Sequence, residues 1–400
     1  MNQARTPQER IAAALRPGTG ARGLLLTTVA LLALGVVMVH SAVASVAEPG
    51  AWYARRDVRH TLFAAGAVLV LMVGWRFDYR RLAGKGRLPV VPVVLLLVAV
   101  ACALLVYVPG IGRSVGGRYR WLRIGPADYG IGFQPSELVM LSLMVFLAAW
   151  LSRERTNTRS FLRTFLPGLG LTLLCVGLVV REDFGTATLI GATAVAAMFL
   201  AGMPWYYLLT PLPLAAGGFW WLVVRDPARW DRIAAMIDPW CTSNPSAYHA
   251  RQSLLAVITG GYFGKGLGHG MLKRGYLPEG ATDFIFSVYC EEWGLVGAML
   301  LVGLVLLWIW SARRVAVCAG DRFGRILAGV LGFEIALQAL LHIAVDLVAA
   351  PPTGIGCPFV SAGGTRLLTM AAAASLVISV GARAPARQLA PDVPLAAAPA

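Results

Sequence analysis

Residues 283–311 read DFIFSVYCEEWGLVGAMLLVGLVLLWIWS, a run dominated by apolar residues that opens on the acid Asp283. A helix of about 20 apolar residues spans the hydrocarbon core of a bilayer, where free backbone groups find no hydrogen-bond partners in lipid. Comparable runs recur along the 400-residue chain, which is 58% hydrophobic. The sequence therefore predicts an all-α, polytopic membrane protein and excludes a soluble globular one.

Ten spans are predicted from these runs. They cover residues 23–46, 60–76, 89–109, 135–152, 162–180, 184–202, 205–224, 283–311, 324–350 and 364–382. The amino-terminal arm (1–22) and the Ala/Pro-rich tail (383–400) are predicted to be disordered and cytoplasmic, leaving one ten-span domain over 23–382. The segment between spans seven and eight becomes a large extracytoplasmic loop.

The distribution of Lys and Arg gives the predicted orientation. With both termini inside, the inside segments carry 19 of these residues and the outside segments 16. Eleven of the outside cations lie in two long loops, 113–123 and 225–274, which the positive-inside rule weights little, so the comparison becomes 19 against 5. These eleven cations are either solvated charges and lipid-headgroup contacts, or they bind an anionic ligand outside the membrane.

The first of these loops supplies one set of candidate ligand-binding residues. Arg118 and Arg120 can bind phosphate through charge-assisted hydrogen bonds. Trp121 either stacks on a sugar ring or belongs to the interfacial aromatic belt. Pro135-Ser136 then starts a predicted helix with Glu137 in its first turn, where a negative charge suits the helix dipole.

The second loop combines glycines with further cations. Gln252-Ser253 leads into GGYFGKGLG at 260–268, and the cations are Lys265, Lys273 and Arg274. Glycine lets the backbone approach a ligand closely and offers N–H groups to phosphate oxygens. We therefore expect a phosphate-bearing substrate at this loop, in contact with Gln252, Ser253 and the three cations.

Acids at or inside the predicted spans form a third set, because ionisable groups in a membrane are costly and are usually functional. Asp283 is either the exposed, reactive acid of a site or a helix N-terminal cap. At 100° per residue, Glu291 points about 80° from Asp283 and Glu292 about 180°, with Glu291 about 12 Å deeper, so one of the two is predicted to be an internal polar tether. Further polar candidates are Glu182, Asp183, Glu334 and Asp346.

Ordered motifs are spread over residues 25–382. They read Phe133-Gln134-Pro135-Ser136-Glu137, Asp238-Pro239-Trp240, Gln252-Ser253, Gly260-Gly261, Gly264-x-Gly266-Leu267-Gly268, Thr282-Asp283-Phe284-Ile285-Phe286 and Thr353-Gly354-x-x-x-Pro358-Phe359-Val360-Ser361-x-Gly363-Gly364. Together they resemble the motifs of the shape, elongation, division and sporulation (SEDS) family, which includes FtsW, RodA and SpoVE. His40-Ser41-Ala42 at the end of the first span resembles the division branch, FtsW, slightly more than the elongation branch.

The resemblance implies a peptidoglycan glycosyltransferase in the bacterial cytoplasmic membrane that polymerises lipid II on the outer face. Lipid II is a disaccharide-peptide carried on undecaprenyl pyrophosphate. The implied partners are a class B penicillin-binding protein and proteins of the division or elongation machinery, with no nucleic acid. By the same resemblance, the family's essential acid falls on Asp283, its functional outer-loop Trp on Trp121 and its fourth-span acid on Glu137.

Several positions depart from the family pattern. Met140 replaces a Lys and so removes one expected partner of Glu137, Ala281 replaces a His, and Asp346 replaces an Asn. Two motifs also differ, as Arg181-Glu182-Asp183-Phe184-Gly185 and Ser361-Ala362-Gly363-Gly364-Thr365. The chain is therefore expected to be a divergent member.

The expected chemistry is an inverting transfer that turns an α-linked donor into a β-linked glycan. One base takes the proton of the acceptor hydroxyl, while positive charge or a divalent cation (Mg or Mn) steadies the leaving pyrophosphate. A retaining pathway would need a second, nucleophilic carboxylate. Asp283 is predicted to be the base or the ligand of the metal. The alternatives are a lipid II flippase, which needs a polar path across the bilayer, and a non-catalytic scaffold of the penicillin-binding protein.

Overall fold

The computed structural model describes residues 19–44, 55–84, 89–115, 118–124, 131–277 and 279–384. Most of the predicted arm (1–22) and tail (383–400) lies outside the described residues.

Helices make up most of the described chain. They are α1 (Thr19–Val43), α2 (Arg56–Arg76), α3 (Arg80–Ala83), α4 (Val90–Leu105), α5 (Pro135–Leu151), α6 (Leu166–Val180), α7 (Phe184–Leu200), α8 (Trp205–Leu209), α9 (Leu212–Phe219), α10 (Pro227–Ile237), α11 (Pro245–Gly260), α12 (Ile285–Cys318), α13 (Arg322–Asp346) and α14 (Gly364–Ala382). Single π-helical turns, Phe161–Phe165 and Trp220–Val224, precede α6 and follow α9.

Each predicted span falls on a helical segment. Among the described residues, 7 segments are long and apolar enough to cross a membrane, and the shorter apolar helices α4, α5 and α7 occupy the other predicted spans. The prediction of an all-α, polytopic membrane protein is confirmed. The number of ten crossings and the cytoplasmic position of both termini stay predictions.

Span seven is broken rather than continuous. Pro211 lies between its two short helices, α8 and α9, and Pro213 lies in the first turn of α9. The helix breaks here because proline lacks the N–H that a helix interior needs. Its side chains are largely exposed, including Trp205, Trp220 and Trp221. This span therefore lies at the margin of the bundle.

The centre of the bundle is α13, which packs against α5, α7, α12 and α14. The neighbouring helix α12 is interrupted at Gly294, one turn after Cys290, where the backbone adopts φ +64. The carbonyls released by this break accept N–H groups from the glycine-rich loop, with Lys265 N 3.0 Å from Glu291 O and Gly266 N 3.0 Å from Glu292 O. The loop is thereby fixed to α12.

The loop between α4 and α5, which is predicted to lie outside the membrane, folds into a small antiparallel sheet that was not predicted from the sequence. Its strands are β1 (Gly112–Val115), β2 (Arg118–Ile124) and β3 (Ile131–Phe133), in the order β1-β2-β3. Arg113 pairs with Trp121, and Leu122 pairs with Phe133. Since α5 begins at Pro135, directly after β3, the sheet is anchored to the bundle.

Candidate active site

Asp283 lies in a turn immediately before α12. The turn is closed by the Asp283 N–H, which donates to Glu279 O at 3.0 Å, and Glu279 adopts φ +57. Phe284, not Asp283, occupies the N-cap position, and no described side chain hydrogen bonds to the Asp283 carboxylate. The carboxylate is therefore not a helix cap. It is half-buried, whereas an exposed acid was expected from the sequence.

Burial is the main influence on this carboxylate and raises the pKa of Asp283 above its ordinary value. Arg366 and Arg120 act in the opposite direction, while the negative charges of Glu279 and Asp183 add to the effect of burial. A carboxylate with a raised pKa is a stronger base once it is ionised, and the positive charge of Arg366 favours the ionised form.

The segment 353–362 forms a wall beside Asp283. A Cβ built on Gly354 would lie 3.7 Å from Asp283 Oδ2, and Gly354 has φ +73, a conformation that favours glycine. Ala362 N also donates to Ala281 O at 2.9 Å. These contacts fix the turn that carries Asp283.

Arg366, in the first turn of α14, connects three parts of the site. Its Nε donates to Glu137 Oε1 at 2.8 Å, its guanidinium reaches Gly354 O at 3.5 Å, and its charge acts on Asp283. Glu137 is thus paired although Met140 replaces the expected Lys, and Met140 is buried in the core. Arg366 was not among the site residues predicted from the sequence, where it contributed only to the number of outside cations.

Asp183 has a structural part in the site. It caps α7, where its carboxylate accepts the Thr186 N–H at 3.1 Å and the Thr186 hydroxyl at 2.9 Å. It also accepts Gln134 Nε2 at 3.1 Å, and Gln134 N donates to Thr365 Oγ1 at 3.2 Å. The N-termini of α5, α7 and α14 therefore converge, and their dipoles favour negative charge at this point.

Two open cavities share Arg120 and Asp183 in their lining. The larger has a volume of about 510 Å³ and is also lined by Arg229, Arg232 and Thr353. The smaller, of about 330 Å³, is lined by polar and apolar residues that include Tyr107, Tyr119, Ser136 and Glu182. The positive charges of Arg120 and Arg232 at the larger cavity suit an anionic ligand, whereas the Arg229 guanidinium pairs with Asp226 at 3.3 Å. Of these, the sequence analysis singled out Arg120 alone and counted Arg229 and Arg232 among the loop cations.

Arg120 is fixed by the loop that precedes α7. Its Nε donates to Glu182 O at 2.6 Å, and the Glu182 carboxylate accepts the Tyr119 N–H at 2.8 Å. Trp121, the next residue, packs on β3, since a Cβ on Gly132 would lie 2.9 Å from its ring. The side chain of Arg118 lies outside the described residues.

Two predicted phosphate contacts, one buried and one exposed, form ion pairs with acids of α12 instead. The Lys273 side chain is 1% exposed, and its Nζ lies 2.6 Å from Glu292 Oε1 and 2.9 Å from the Ser41 carbonyl and hydroxyl. Lys265 Nζ lies 2.7 Å from Glu291 Oε1. The expected contact of Lys273 with pyrophosphate does not fit this buried position, because its charge is already neutralised.

Both acids of the Glu291-Glu292 pair are tethers, where the sequence analysis expected one. Glu291 also accepts the N–H groups of Met271 at 2.9 Å and Leu272 at 3.2 Å, in addition to its ion pair. Glu292 accepts the Ser41 hydroxyl at 2.7 Å and so joins α12 to α1. These bonds from two adjacent residues of α12 hold the second loop.

The remaining candidates divide between interior and surface. Ser253 is buried and bonds to Ser287 Oγ at 2.6 Å and to Asp346 O at 2.7 Å, so it joins helices rather than facing a ligand. Asp346 is also buried, and its Oδ2 accepts the Ser287 N–H at 2.9 Å. Gln252 is half-buried and Arg274 is exposed.

The chain is similar to known proteins over nearly its whole length. A family model described as "Cell cycle protein", which carries the names FtsW, RodA and SpoVE, matches residues 22–385. The probable peptidoglycan glycosyltransferase FtsW of Geobacter sp. (strain M18) is 34% identical over 365 residues, covering 90% of this chain and 96% of the relative. Stage V sporulation protein E of Bacillus subtilis (strain 168) is 34% identical over 362 residues, covering 89% and 95%.

Solved structures show the same fold. A chain from a study of structural coordination of polymerization and crosslinking by a peptidoglycan synthase complex superposes with a TM-score of 0.71 at 26% identity, covering 90% of this chain and 96% of that one. The rod shape determining protein RodA of Thermus thermophilus superposes with a TM-score of 0.63 at 25% identity, covering 90% and 95%.

Proposed function

The chain belongs to the FtsW, RodA and SpoVE family, and on this basis we propose that it is a peptidoglycan glycosyltransferase that polymerises lipid II on the outer face of the bacterial cytoplasmic membrane. The observation that carries the proposal is a half-buried carboxylate, Asp283, which has no hydrogen-bonding side chain among the described residues and lies in the field of Arg366 and Arg120. A reactive acid beside positive charge is what transfer from a pyrophosphate-linked donor requires.

In this reaction Asp283 is the general base. Its carboxylate takes the proton of the acceptor sugar hydroxyl while the hydroxyl oxygen forms a bond to the anomeric carbon of the donor. The bond from that carbon to the pyrophosphate oxygen breaks, and undecaprenyl pyrophosphate leaves with the electron pair. Displacement from the opposite face inverts the anomeric centre, so no second nucleophilic carboxylate is needed.

The arginine-lined cavity is the proposed site of the pyrophosphate. Arg120, Arg229 and Arg232 line it, and Thr353 joins it to Gly354 at the wall of Asp283. Fixed cations at the leaving group stabilise the charge that develops there in the transition state. Trp121, Gln252 and Arg274 remain proposed contacts of the sugar, the peptide or the lipid headgroups.

A divalent cation, Mg or Mn, fits this arrangement only if the substrate completes its coordination. The described residues contain no group of three or more His, Cys, Asp and Glu that could hold a metal. Magnesium is commonly held by one or two carboxylates together with substrate phosphates, and Asp283 can supply that carboxylate. When bound, the ion would neutralise charge on the pyrophosphate.

The proposed partner is a class B penicillin-binding protein, which would crosslink the peptides of the new glycan within the division or elongation machinery. Support comes from the similarity to a chain of a peptidoglycan synthase complex in which polymerization and crosslinking are coordinated. A scaffold without activity of its own would keep this partner but would not need the Asp283 site.

The flippase alternative requires polar groups across the whole bilayer. Along the buried face of α13, polar residues occupy only the half that ends at Asp346. The other half, nearer Arg322, buries Phe323, Ile326 and Leu327. This distribution favours chemistry at one surface.

The test is polymerisation of fluorescent lipid II by the full-length chain, purified with its partner and placed in liposomes. Glycan strands that grow with time, with the partner's crosslinking site inactivated, support the proposal. If lipid II only changes leaflet, the chain is a flippase. If lipid II is neither moved nor polymerised although the partner is bound, the chain is a scaffold.

A further inference from the structure

Four polar residues recur at every fourth position of α13. They are Glu334, Gln338, His342 and Asp346, each at most 2% exposed. Residues four apart lie on the same face of a helix, one above the other. With a rise of 1.5 Å per residue, the set forms a polar column about 18 Å long inside the bundle.

Each member of the polar column has a buried atom without a hydrogen-bond partner among the described residues. These atoms are Glu334 Oε2, Gln338 Nε2, His342 Nε2 and Asp346 Oδ1. Glu137 Oε2 is a fifth such atom, and Glu137 lies close enough to Glu334 to interact with it electrostatically. Buried polar atoms that lack protein partners are normally satisfied by ordered water, and water needs several such atoms close together.

The outer end of the polar column, Asp346, lies close to the start of α12 and to Asp283. Asp346 Oδ2 accepts the N–H of Ser287, four residues after Asp283, and the Asp346 carboxyl interacts electrostatically with Asp283. His342 Nδ1 lies 2.9 Å from Ile355 O, so Nδ1 carries the proton and donates it. In the neutral ring, Nε2 is then an acceptor, 3.6 Å from Asp346 Oδ2.

The inner end of the polar column is closed. One turn before Glu334, the buried residues are Val330 and Leu331, with Leu327 a turn further. The column therefore opens toward Asp283 and ends near the middle of α13.

We infer that the polar column binds a file of ordered water molecules, and that this file accepts the proton which Asp283 removes from the substrate. The inference rests on the proposed function. The acceptor O–H bond breaks and its proton binds Asp283. It then passes to the Asp346–His342 pair through water that Gln338 Nε2 holds beside His342 Nε2, and the pair returns it to the outside solution after the products leave. Asp283 is thus ionised again before the next sugar is added.

The water file can be tested without any substitution. The full-length protein, in lipid nanodiscs with its partner, is exposed to X-rays, so that radiolysis of bound water produces hydroxyl radicals beside the side chains it touches. His342 and Met198 are both buried, at 0% and 1% exposure, and Met198 packs near Gly168 on the far side of α7. We expect oxidation of His342 but not of Met198, although methionine is intrinsically the more reactive. Equal protection of both residues would overturn the water file.

The proton route is tested at Gln338, which carries no charge. Gln338→Leu keeps the volume and removes the amide, so it should abolish oxidation of His342 and lower the turnover of lipid II at least tenfold with an unchanged KM. Gln338→Asn, which keeps an amide, should retain most of both signals. Wild-type turnover in Gln338→Leu, with His342 protected, would overturn the proton route. A variant that loses turnover because it unfolds is recognised by oxidation of Met198.

Failure of this inference is distinguishable from failure of the proposed function. Asp283→Asn should abolish turnover and leave the oxidation of His342 unchanged, because it does not alter the polar column. If Asp283→Asn polymerises lipid II normally, the proposed function of Asp283 fails whatever the labelling shows.

Discussion

Arg366 offers the most informative perturbation, because one side chain joins a buried ion pair to the proposed base. Its side chain is 17% exposed and its partner Glu137 is 2% exposed. Arg366→Met leaves the Glu137 carboxylate buried without its cation, and removal of one partner of a buried pair costs about 3–5 kcal/mol. We expect a loss of this order in the free energy of unfolding, measured as a lower unfolding temperature in detergent.

The companion variant is Glu137→Leu together with Arg366→Met. Replacement of both members of a buried pair by apolar residues is often neutral or stabilising, so the double variant should recover most of the lost stability. It should not recover polymerisation, because Arg366 also acts on Asp283. Recovery of stability without recovery of turnover separates the two roles of this arginine.

The pH dependence of turnover is a second measurement on the Arg366→Met variant. Burial raises the pKa of Asp283, and Arg366 lowers it. A base must be ionised, so activity falls as the pH drops through that pKa. Removal of Arg366 raises the pKa further, so the acidic limb of the pH–rate profile should move to higher pH. This reasoning would be refuted if the double variant lost as much stability as the sum of the two single variants. It would also be refuted if the acidic limb of the pH–rate profile of Arg366→Met stayed where it is in the wild type.

Three further predictions follow from single contacts. Lys273→Met should destabilise the protein by about 3–5 kcal/mol, since Glu292 loses its buried partner, whereas a pyrophosphate contact would raise KM at unchanged unfolding temperature. Gly354→Ala places a side chain at φ +73 beside Asp283, so it should cost at least ~1 kcal/mol of stability and lower kcat more than KM. Arg232→Gln should raise KM for lipid II, less so in high salt, and an unchanged KM would remove Arg232 from the anion site.

Hydropathy located the helices well because each apolar run is a local property of the chain. It also placed the start of the eighth span at Asp283, two residues before the start of α12, but did not predict that Asp283 lies in a turn. What it missed depends on distant residues or on local breaks. Arg366 and Glu137 are 229 positions apart, so no local pattern pairs them. The break at Gly294 became visible only with the loop carbonyls and N–H groups that surround it.

A positive charge in a loop was the sequence pattern that predicted contact with a ligand least reliably. Lys273 and Arg232 both lie in the second predicted outer loop, and both are cations that could face an anionic ligand. The structure buries Lys273 against Glu292 and leaves Arg232 at the larger cavity. Which way a long side chain points depends on the tertiary packing around it, and the sequence pattern alone does not contain that information.

The central claim is that Asp283 is the base of the transfer, and the most direct measurement is the rate of glycan synthesis by Asp283→Asn. The variant is purified with its partner and supplied with saturating lipid II, beside wild type and the exposed control Glu154→Gln. General acid–base catalysis contributes about 10²–10⁴-fold, so we expect a loss of at least that size at unchanged binding of lipid II and unchanged unfolding temperature. Glu154→Gln should match wild type. Glycan synthesis by Asp283→Asn within a few-fold of wild type would contradict the account.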